Sequence, residues 1–274
     1  MPRSVLYQPF PIPTSARGHI WRHVPATTRP RHFHAEPEFN WVAEGCAKFG
    51  MGDKVLDVHA GDILRWPPGH DHVLLEASAD LELYVIGVTQ EFSARVLTPH
   101  PLDAMSRQIC ARVPQHQGLR WKAMCSANRD TSDVCAAESL LGALWREASA
   151  LPPSPPLPQQ ATVRAVNSLL GHPRLSRDAV ARMARVCPTE LSRHFRRDMG
   201  LSLTSYRTRL KLLRFFREVD HGAPNCLAAS QAAGFGSYSQ CHRAFRTTLG
   251  CAPQEIFDGG IQATMRGVFA PMPR

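Results

Sequence analysis

The sequence predicts two domains of different class, a β jelly-roll barrel with following helices and then an all-α domain built from two helix-turn-helix units. Three observations carry this. Short apolar runs separated by Gly and Pro fill residues 31–90, a ten-residue stretch is written twice fifty residues apart, and five prolines crowd residues 151–160 between them. Regular short strands with turn signals argue for an antiparallel barrel or sandwich. A repeat that occurs twice argues for a pair of supersecondary units, not a solenoid.

Residues 1–30, rich in Pro, Arg and His, are expected to form an extended arm or edge strand. Strand-like segments follow at 39–42, 47–49, 54–58, 63–66, 73–75 and 81–86. They are punctuated by Gly45, Gly50, Gly52, Gly61 and Pro67-Pro68-Gly69. Residues 91–150 read as mainly helical, although 99–129 carries no assignable period. Thr131 or Ser132 is expected to cap a helix reaching Ala148, with Val134, Ala137, Leu141, Leu144, Trp145 and Ala148 as its apolar stripe. Such a stripe suits either packing onto the barrel or a helix-on-helix dimer contact. The proline run favours a stiff, extended path, so the chain divides into 1–150, a linker at 151–160, and 161–274.

In the second half, a supporting helix is expected over 162–170. Ser176 is placed to cap a helix from Arg177 to Ala184, and Arg185-Val186-Cys187-Pro188 then breaks the chain tightly, with Pro188 at a favourable first helical position. The helix that follows ends in Leu191-Ser-Arg-His-Phe-Arg-Arg-Asp-Met-Gly200. On a helical period Leu191 and Phe195 point inward, whereas Thr189, Ser192, Arg193 and Arg196 gather outward. The second copy, Cys241-His-Arg-Ala-Phe-Arg-Thr-Thr-Leu-Gly250, matches it: Arg193 aligns with Arg243, Phe195 with Phe245, and Arg196 with Arg246. Gly234-Phe235-Gly236 supplies its turn and Ser237 begins the next helix. Between the copies Ser202 is placed to cap a long strut through about Val219, on or near which Arg207, Arg209, Lys211 and Arg214 come within reach of phosphates.

Charge follows the same division. Of the net +9, residues 161–274 hold 17 Lys and Arg against 7 Asp and Glu, which leaves 1–160 close to neutral. A basic half with outward arginines at matched positions of two such helices points to duplex DNA. No apolar run approaches the roughly 20 residues of a membrane span, and the first residues lack the core of a signal peptide, so the chain reads as cytoplasmic. The eight cysteines show no C-x-x-C pair or zinc-finger spacing and read as thiols.

In the barrel region, His32-x-His34-x-x-x-Glu38 is followed by Gly61-x5-Pro67-x-Gly69-x-x-His72. If 32–38 is extended, His32, His34 and Glu38 share one face, and a later strand carrying His72 completes a site of three imidazoles and one carboxylate. This spacing resembles the two motifs of the cupin superfamily, which places a candidate divalent transition metal on His32, His34, Glu38 and His72.

The region 161–257 resembles the DNA-binding domain of the AraC/XylS family of bacterial transcription regulators, through Leu175-Ser176, Ala181, Leu191-x-Arg193-x-Phe195-Arg196, Gly200, Tyr206-Arg207, Gly234-Phe235-Gly236, Arg243-x-Phe245-Arg246 and Gly250-x-x-Pro253. Arg185 stands where the first turn of that family usually has Gly, and Cys187 where it has a capping Ser. The resemblance implies a non-enzymatic one-component regulator, a homodimer whose cupin domain binds a small molecule and whose C-terminal domain binds promoter DNA and contacts RNA polymerase. Carried over, the base-reading candidates are Thr189, Ser192, Arg193 and Arg196 in the first unit. In the second they are Tyr238, Ser239, Gln240, His242 and Arg243, with Arg197, Arg207 and Arg246 on phosphates. The competing expectation is a metal-dependent cupin enzyme of oxygenase or isomerase type fused to a DNA-binding domain.

Overall fold

Two antiparallel sheets face one another across the first half of the chain. The computed structural model describes residues 6–10, 12–13, 15–23, 30–96, 110–131, 133–155 and 158–258. Its strands are β1 (Leu6–Tyr7), β2 (Gly18–His23), β3 (His32–Phe33), β4 (Glu38–Glu44), β5 (Cys46–Met51), β6 (Lys54–His59), β7 (Asp62–Trp66), β8 (Val73–Ala77), β9 (Glu82–Val88) and β10 (Cys110–Arg112). One sheet runs β10-β7-β4-β9-β2, the other β6-β5-β8, and β1 pairs in parallel with β3. The arm thus does supply an edge strand, because β2 pairs with β9 along its whole length.

Side-chain alternation builds a core on each face of the larger sheet. Val42, Leu64, Trp66 and Leu83 turn inward and meet Phe49, Met51 and Val58 of the smaller sheet. Phe39, Trp41, Ile63, Tyr84 and Ile86 turn outward and are covered by two helices, α2 (Gln115–Asp130) and α3 (Val134–Ala150), which follow the short α1 (Gln90–Val96). Leu141, Leu144, Trp145 and Ala148 are all buried in that layer, so the C-terminal part of the stripe on α3 packs onto the barrel, while Val134 at its start is exposed. The cap of α3 is neither Thr131 nor Ser132. Asp133 holds that position and accepts from the backbone N–H of Cys135 and Ala136, and Ser132 lies outside the described residues. The proline run does not begin as a free spacer. Pro153 bridges Ala111 and the Ser154 N–H donates to the Cys110 carbonyl, which lays the first half of the run along the sheet edge.

Among the described residues there follow α4 (Gln160–Gly171), α5 (Arg177–Ala184), α6 (Pro188–Met199), α7 (Leu203–Asp220), α8 (Cys226–Ala232) and α9 (Tyr238–Leu249), and residues 253–258 are helical as well. Ser176 and Ser202 cap α5 and α7 as the sequence indicates, accepting from Ala179 and Ser205, while Ser237, read as the first residue of α9, is its cap and accepts from Gln240, and Cys187 accepts through its sulfur from Glu190. Leu191, Phe195, Cys241 and Phe245 are fully buried against α7, which at 18 residues is about 27 Å long. This core runs on into the first half of the chain. The rings of Tyr7 and Phe216 lie 4.2 Å apart, and the Arg209 guanidinium sits over Phe33 at 5.4 Å.

Candidate metal centre and nucleic-acid interface

His32, His34, Glu38 and His72 come together, though not by the route their spacing suggests. The extended run stops at Phe33, the chain bends at Ala35–Glu36, and β4 opens only at Glu38. His72 arrives opposite His32, each backbone N–H donating to the other's carbonyl at 3.0–3.1 Å. One nitrogen from each of the three histidines lies within 4.8 Å of the others, and the Glu38 carboxylate is 2.9 Å from His34 Nε2 and 3.6 Å from His72 Nε2.

The second ring nitrogens decide what this cluster can do. Nδ1 of His32, His34 and His72 lies 2.9, 2.8 and 3.4 Å from the carbonyls of Pro30, Glu36 and His70. A carbonyl only accepts, so each Nδ1 carries the proton, which leaves Nε2 of His32 and His72 as lone-pair donors when those rings are neutral, whereas Nε2 of His34 faces the Glu38 carboxylate. Outer-shell carbonyls hold metal-ligating histidines in this way. Nε2 of His72 is buried with no hydrogen-bond partner among the described residues, while His34 Nε2 faces only the Glu38 carboxylate, and a buried polar atom without a partner asks for an occupant. The donor set therefore fits a first-row transition ion, since three imidazoles and one carboxylate suit Fe, Mn, Zn, Ni or Cu. Burial pushes the His72 imidazole well below its usual range, with His32 and His34 adding to the effect, whereas at His34 the burial penalty is outweighed by Glu38 and its pKa rises. Trp66 stacks on His72 at 4.7 Å, 7° from parallel, and closes one side of the cluster.

The second candidate surface lies on α6 and α9. Thr189, Arg193, Arg196 and Arg197 are exposed on α6 and Ser192 is half-buried, its hydroxyl donating to the Pro188 carbonyl. On α9, Ser239, Gln240, His242, Arg243 and Arg246 are exposed and Tyr238 is half-buried. The basic residues of the strut have other engagements. Arg207 is half-buried with its guanidinium on the Leu175 carbonyl, Arg209 is buried against Asp71, and Lys211 lies over the Phe235 ring at 5.5 Å.

Comparison with known families sorts the two sites. A helix-turn-helix domain family matches residues 180–258, and a cupin domain family matches residues 19–87. The chain joins a cupin to an AraC-type DNA-binding domain. That is the composition of a DNA-binding transcription regulator, and the helix-turn-helix match contains both α6 and α9. Among solved structures the chain is similar to ToxT from Vibrio cholerae strain SCE256 bound to an unsaturated fatty acid, at 10% identity over 88% of this chain and 93% of that one, TM-score 0.43. It is similar to ToxT from Vibrio cholerae O395 at 11% identity, 88% and 96% coverage, TM-score 0.43. A variant oxalate decarboxylase from Bacillus subtilis shares 21% identity over 29% of this chain and 25% of its own, TM-score 0.24. No curated protein matches the sequence.

The cupin and the AraC-type domain meet at the segment Pro68–His72, which the sequence marks as a turn and as part of the second cupin motif but not as a contact between domains. The Tyr206 hydroxyl donates to the Pro68 carbonyl at 3.0 Å, and His70 Nε2 donates to the Met199 carbonyl at 2.9 Å. Asp71 is paired with Arg31 of the barrel and Arg209 of α7. Burial alone would raise the Asp71 carboxyl, but Arg209, His70 and Arg31 together hold it at about 2. Beside this segment lies a cleft of about 480 Å³ between the two domains, whose walls include Phe10, Ala35, Glu36, Pro68, Leu213 and Arg217. Ala35, Glu36 and Pro68 belong to the stretches that position His34 and His72. Contacts separated by some 130 residues leave no local periodicity to read. Among the described residues, no helix is long and apolar enough to cross a membrane.

Proposed function

We propose that the protein is a cytoplasmic, non-enzymatic regulator that binds promoter DNA through α6 and α9 and senses a small molecule through its cupin half. The carrying observation is the matched pair of helices: Arg193 and Arg243 occupy the same position of the two copies and both are exposed, while their inward partners Phe195 and Phe245 are fully buried. An arginine so placed reads guanine through two hydrogen bonds, worth about 1–3 kcal/mol of discrimination. In this reading Thr189, Ser192, Arg193 and Arg196 face bases in one half-site, and Tyr238, Ser239, Gln240, His242 and Arg243 in the other. Arg197 and Arg246 face phosphates. Because the outward residues of the two helices differ, the half-sites differ too, and one chain reads them in a fixed direction.

His32, His34, Glu38 and His72 would hold the divalent metal, which when bound supplies a positively charged Lewis-acid centre for an oxygen-donor ligand. The three backbone carbonyls fix the imidazoles for that purpose and Trp66 shields them from water. The effector enters the cleft beside Ala35, Glu36 and Pro68. Residues 1–150 act as the sensor, 151–160 as the connection and 161–274 as the reader. Homodimerisation and contact with RNA polymerase rest on the resemblance to AraC-type regulators.

The test is selection of duplexes from a randomised pool by the full-length protein. A selected site should survive competitor DNA, its affinity should fall steeply with salt, and Arg193→Ala and Arg243→Ala should each relax specificity in a different half-site. No selected site, or one indifferent to both substitutions, overturns the reading. Elemental analysis of the purified protein decides the metal: less than stoichiometric transition metal, with none taken up on addition, removes it.

A further inference from the structure

The last turn of α6 is completed by the other domain. A helix ends with carbonyls that have no partner of their own and that carry the negative end of its dipole. Here three successive carbonyls accept from the barrel: Asp198 from Lys54 Nζ at 3.5 Å, Met199 from His70 Nε2 at 2.9 Å, and Gly200 from the Asp53 N–H at 2.7 Å. Two of the three donors sit on the β5–β6 turn. Met51 pairs with Lys54 and leaves Gly52-Asp53 as a two-residue turn with Gly52 at φ +56°, the form that closes a hairpin tightly and projects its tip.

The tip brings a side chain as well as a backbone. The Asp53 carboxylate lies 3.0 Å from Arg196 Nη2, with the Asp53 and Arg196 side chains 51% and 66% exposed. Arg196 is one turn beyond Ser192 and Arg193 on the face assigned to DNA. A carboxylate offers a guanidinium the same planar, bidentate acceptor that a phosphate does. An exposed pair of this kind is held weakly enough for a phosphate to displace it. Thr189 and Arg193, nearer the helix N-terminus, stay exposed.

We propose that the Met51–Lys54 turn is an intramolecular brake on DNA binding, in which Asp53 occupies the Arg196 guanidinium that otherwise faces a phosphate on mixed-sequence duplex and a base at the selected site. The proposal rests on the reading of α6 as a DNA-facing helix. The brake lowers affinity for duplex by withholding Arg196, while Thr189 and Arg193, nearer the N-terminus of α6, stay exposed. The barrel that carries it also carries the histidine cluster, and His70, two residues from His72, caps the same helix end.

Full-length protein titrated with a mixed-sequence duplex of about three helical turns, at salt between about 0.05 and 0.2 M, tests it. Asp53→Asn keeps the backbone N–H that caps Gly200 and removes the charge. It should raise affinity about fivefold near 0.15 M salt and steepen the log–log salt slope by about 0.9, the value for one more neutralised phosphate. Arg196→Ala in the Asp53→Asn background should abolish the gain. The brake is overturned if Asp53→Asn leaves affinity and slope unchanged, or if its gain survives Arg196→Ala. Should neither wild type nor Asp53→Asn bind duplex at low salt, the DNA reading falls and the brake with it. If wild type binds and Arg193→Ala weakens it while Asp53→Asn changes nothing, the brake alone is lost.

Discussion

Asp71 and Arg209 form a buried ion pair that ties the barrel to the strut between the two recognition helices. The side chains are 1% and 9% exposed, and Arg31 approaches the second carboxylate oxygen at 2.8 Å. Taking one partner from a buried pair strands the other in low dielectric and costs about 3–5 kcal/mol. Asp71→Asn should therefore lower stability by about that amount in urea unfolding of the full chain. Adding Arg209→Met, which removes the stranded charge, should recover most of the loss. An Asp71→Asn chain as stable as wild type would mean that the pair contributes nothing.

Trp66 gives the proposed metal site an optical readout. Its ring is stacked 4.7 Å from that of His72 and is fully buried. A paramagnetic ion such as Co(II) or Cu(II) on the Nε2 atoms should quench its fluorescence strongly. The protein has five tryptophans, so the control is Trp66→Phe, which keeps a ring against His72 and should remove most of the quench while metal stoichiometry stays at one. His72→Ala should remove both. Quenching that persists in Trp66→Phe would place the bound ion elsewhere.

What could be read from the sequence was what local chemistry encodes. Ser176 and Ser202 cap helices that begin one residue later, because a capping side chain reaches only two or three residues on. The four candidate ligands converge as their spacing indicates, yet through a bend at Ala35–Glu36 that no period of two could show. The helix at Gln115–Asp130 escaped notice because its buried face is only Trp121 and Cys125, too narrow for a stripe. Arg209 reads as a phosphate contact from its place on a basic strut. Its true partner, Asp71, is 138 residues away, and long-range pairing leaves no mark on local pattern.

The turn of the first helix-turn-helix unit is strained and weakly capped. Arg185 ends α5 at φ 59°, the one non-glycine with positive φ among the described residues. An L-residue there costs about 1 kcal/mol that glycine avoids. Its side chain is exposed, so Arg185→Gly removes little packing and should stabilise the chain by roughly 0.5–1 kcal/mol in denaturant unfolding. Two residues on, Cys187 Sγ accepts from Glu190 N at 3.5 Å. Cys187→Ser replaces a weak sulfur acceptor by a hydroxyl and should add about 0.5–1 kcal/mol. A loss of stability in Arg185→Gly would show that the guanidinium makes a compensating contact.

Gly52 and Gly200 bring the two domains together at backbone distance. A Cβ on Gly52 would sit 2.1 Å from the Gly200 carbonyl oxygen and one on Gly200 2.4 Å from the Met51 carbonyl oxygen, and both glycines have positive φ. Gly222 is the useful contrast, with φ +79° and nothing within 4 Å of an added Cβ. Alanine at Gly222 should cost only the backbone strain, about 1 kcal/mol. At Gly52 the turn must also retreat, which breaks the Asp53 N–H cap on Gly200 and the Asp53–Arg196 pair along with it. Gly52→Ala should therefore destabilise the chain by clearly more than Gly222→Ala in urea unfolding, and it should raise affinity for mixed-sequence duplex as Asp53→Asn does. Equal costs at the two glycines would mean that the backbone contact does not hold the domains together. A larger cost at Gly52 without any gain in DNA affinity would separate capping of α6 from control of Arg196.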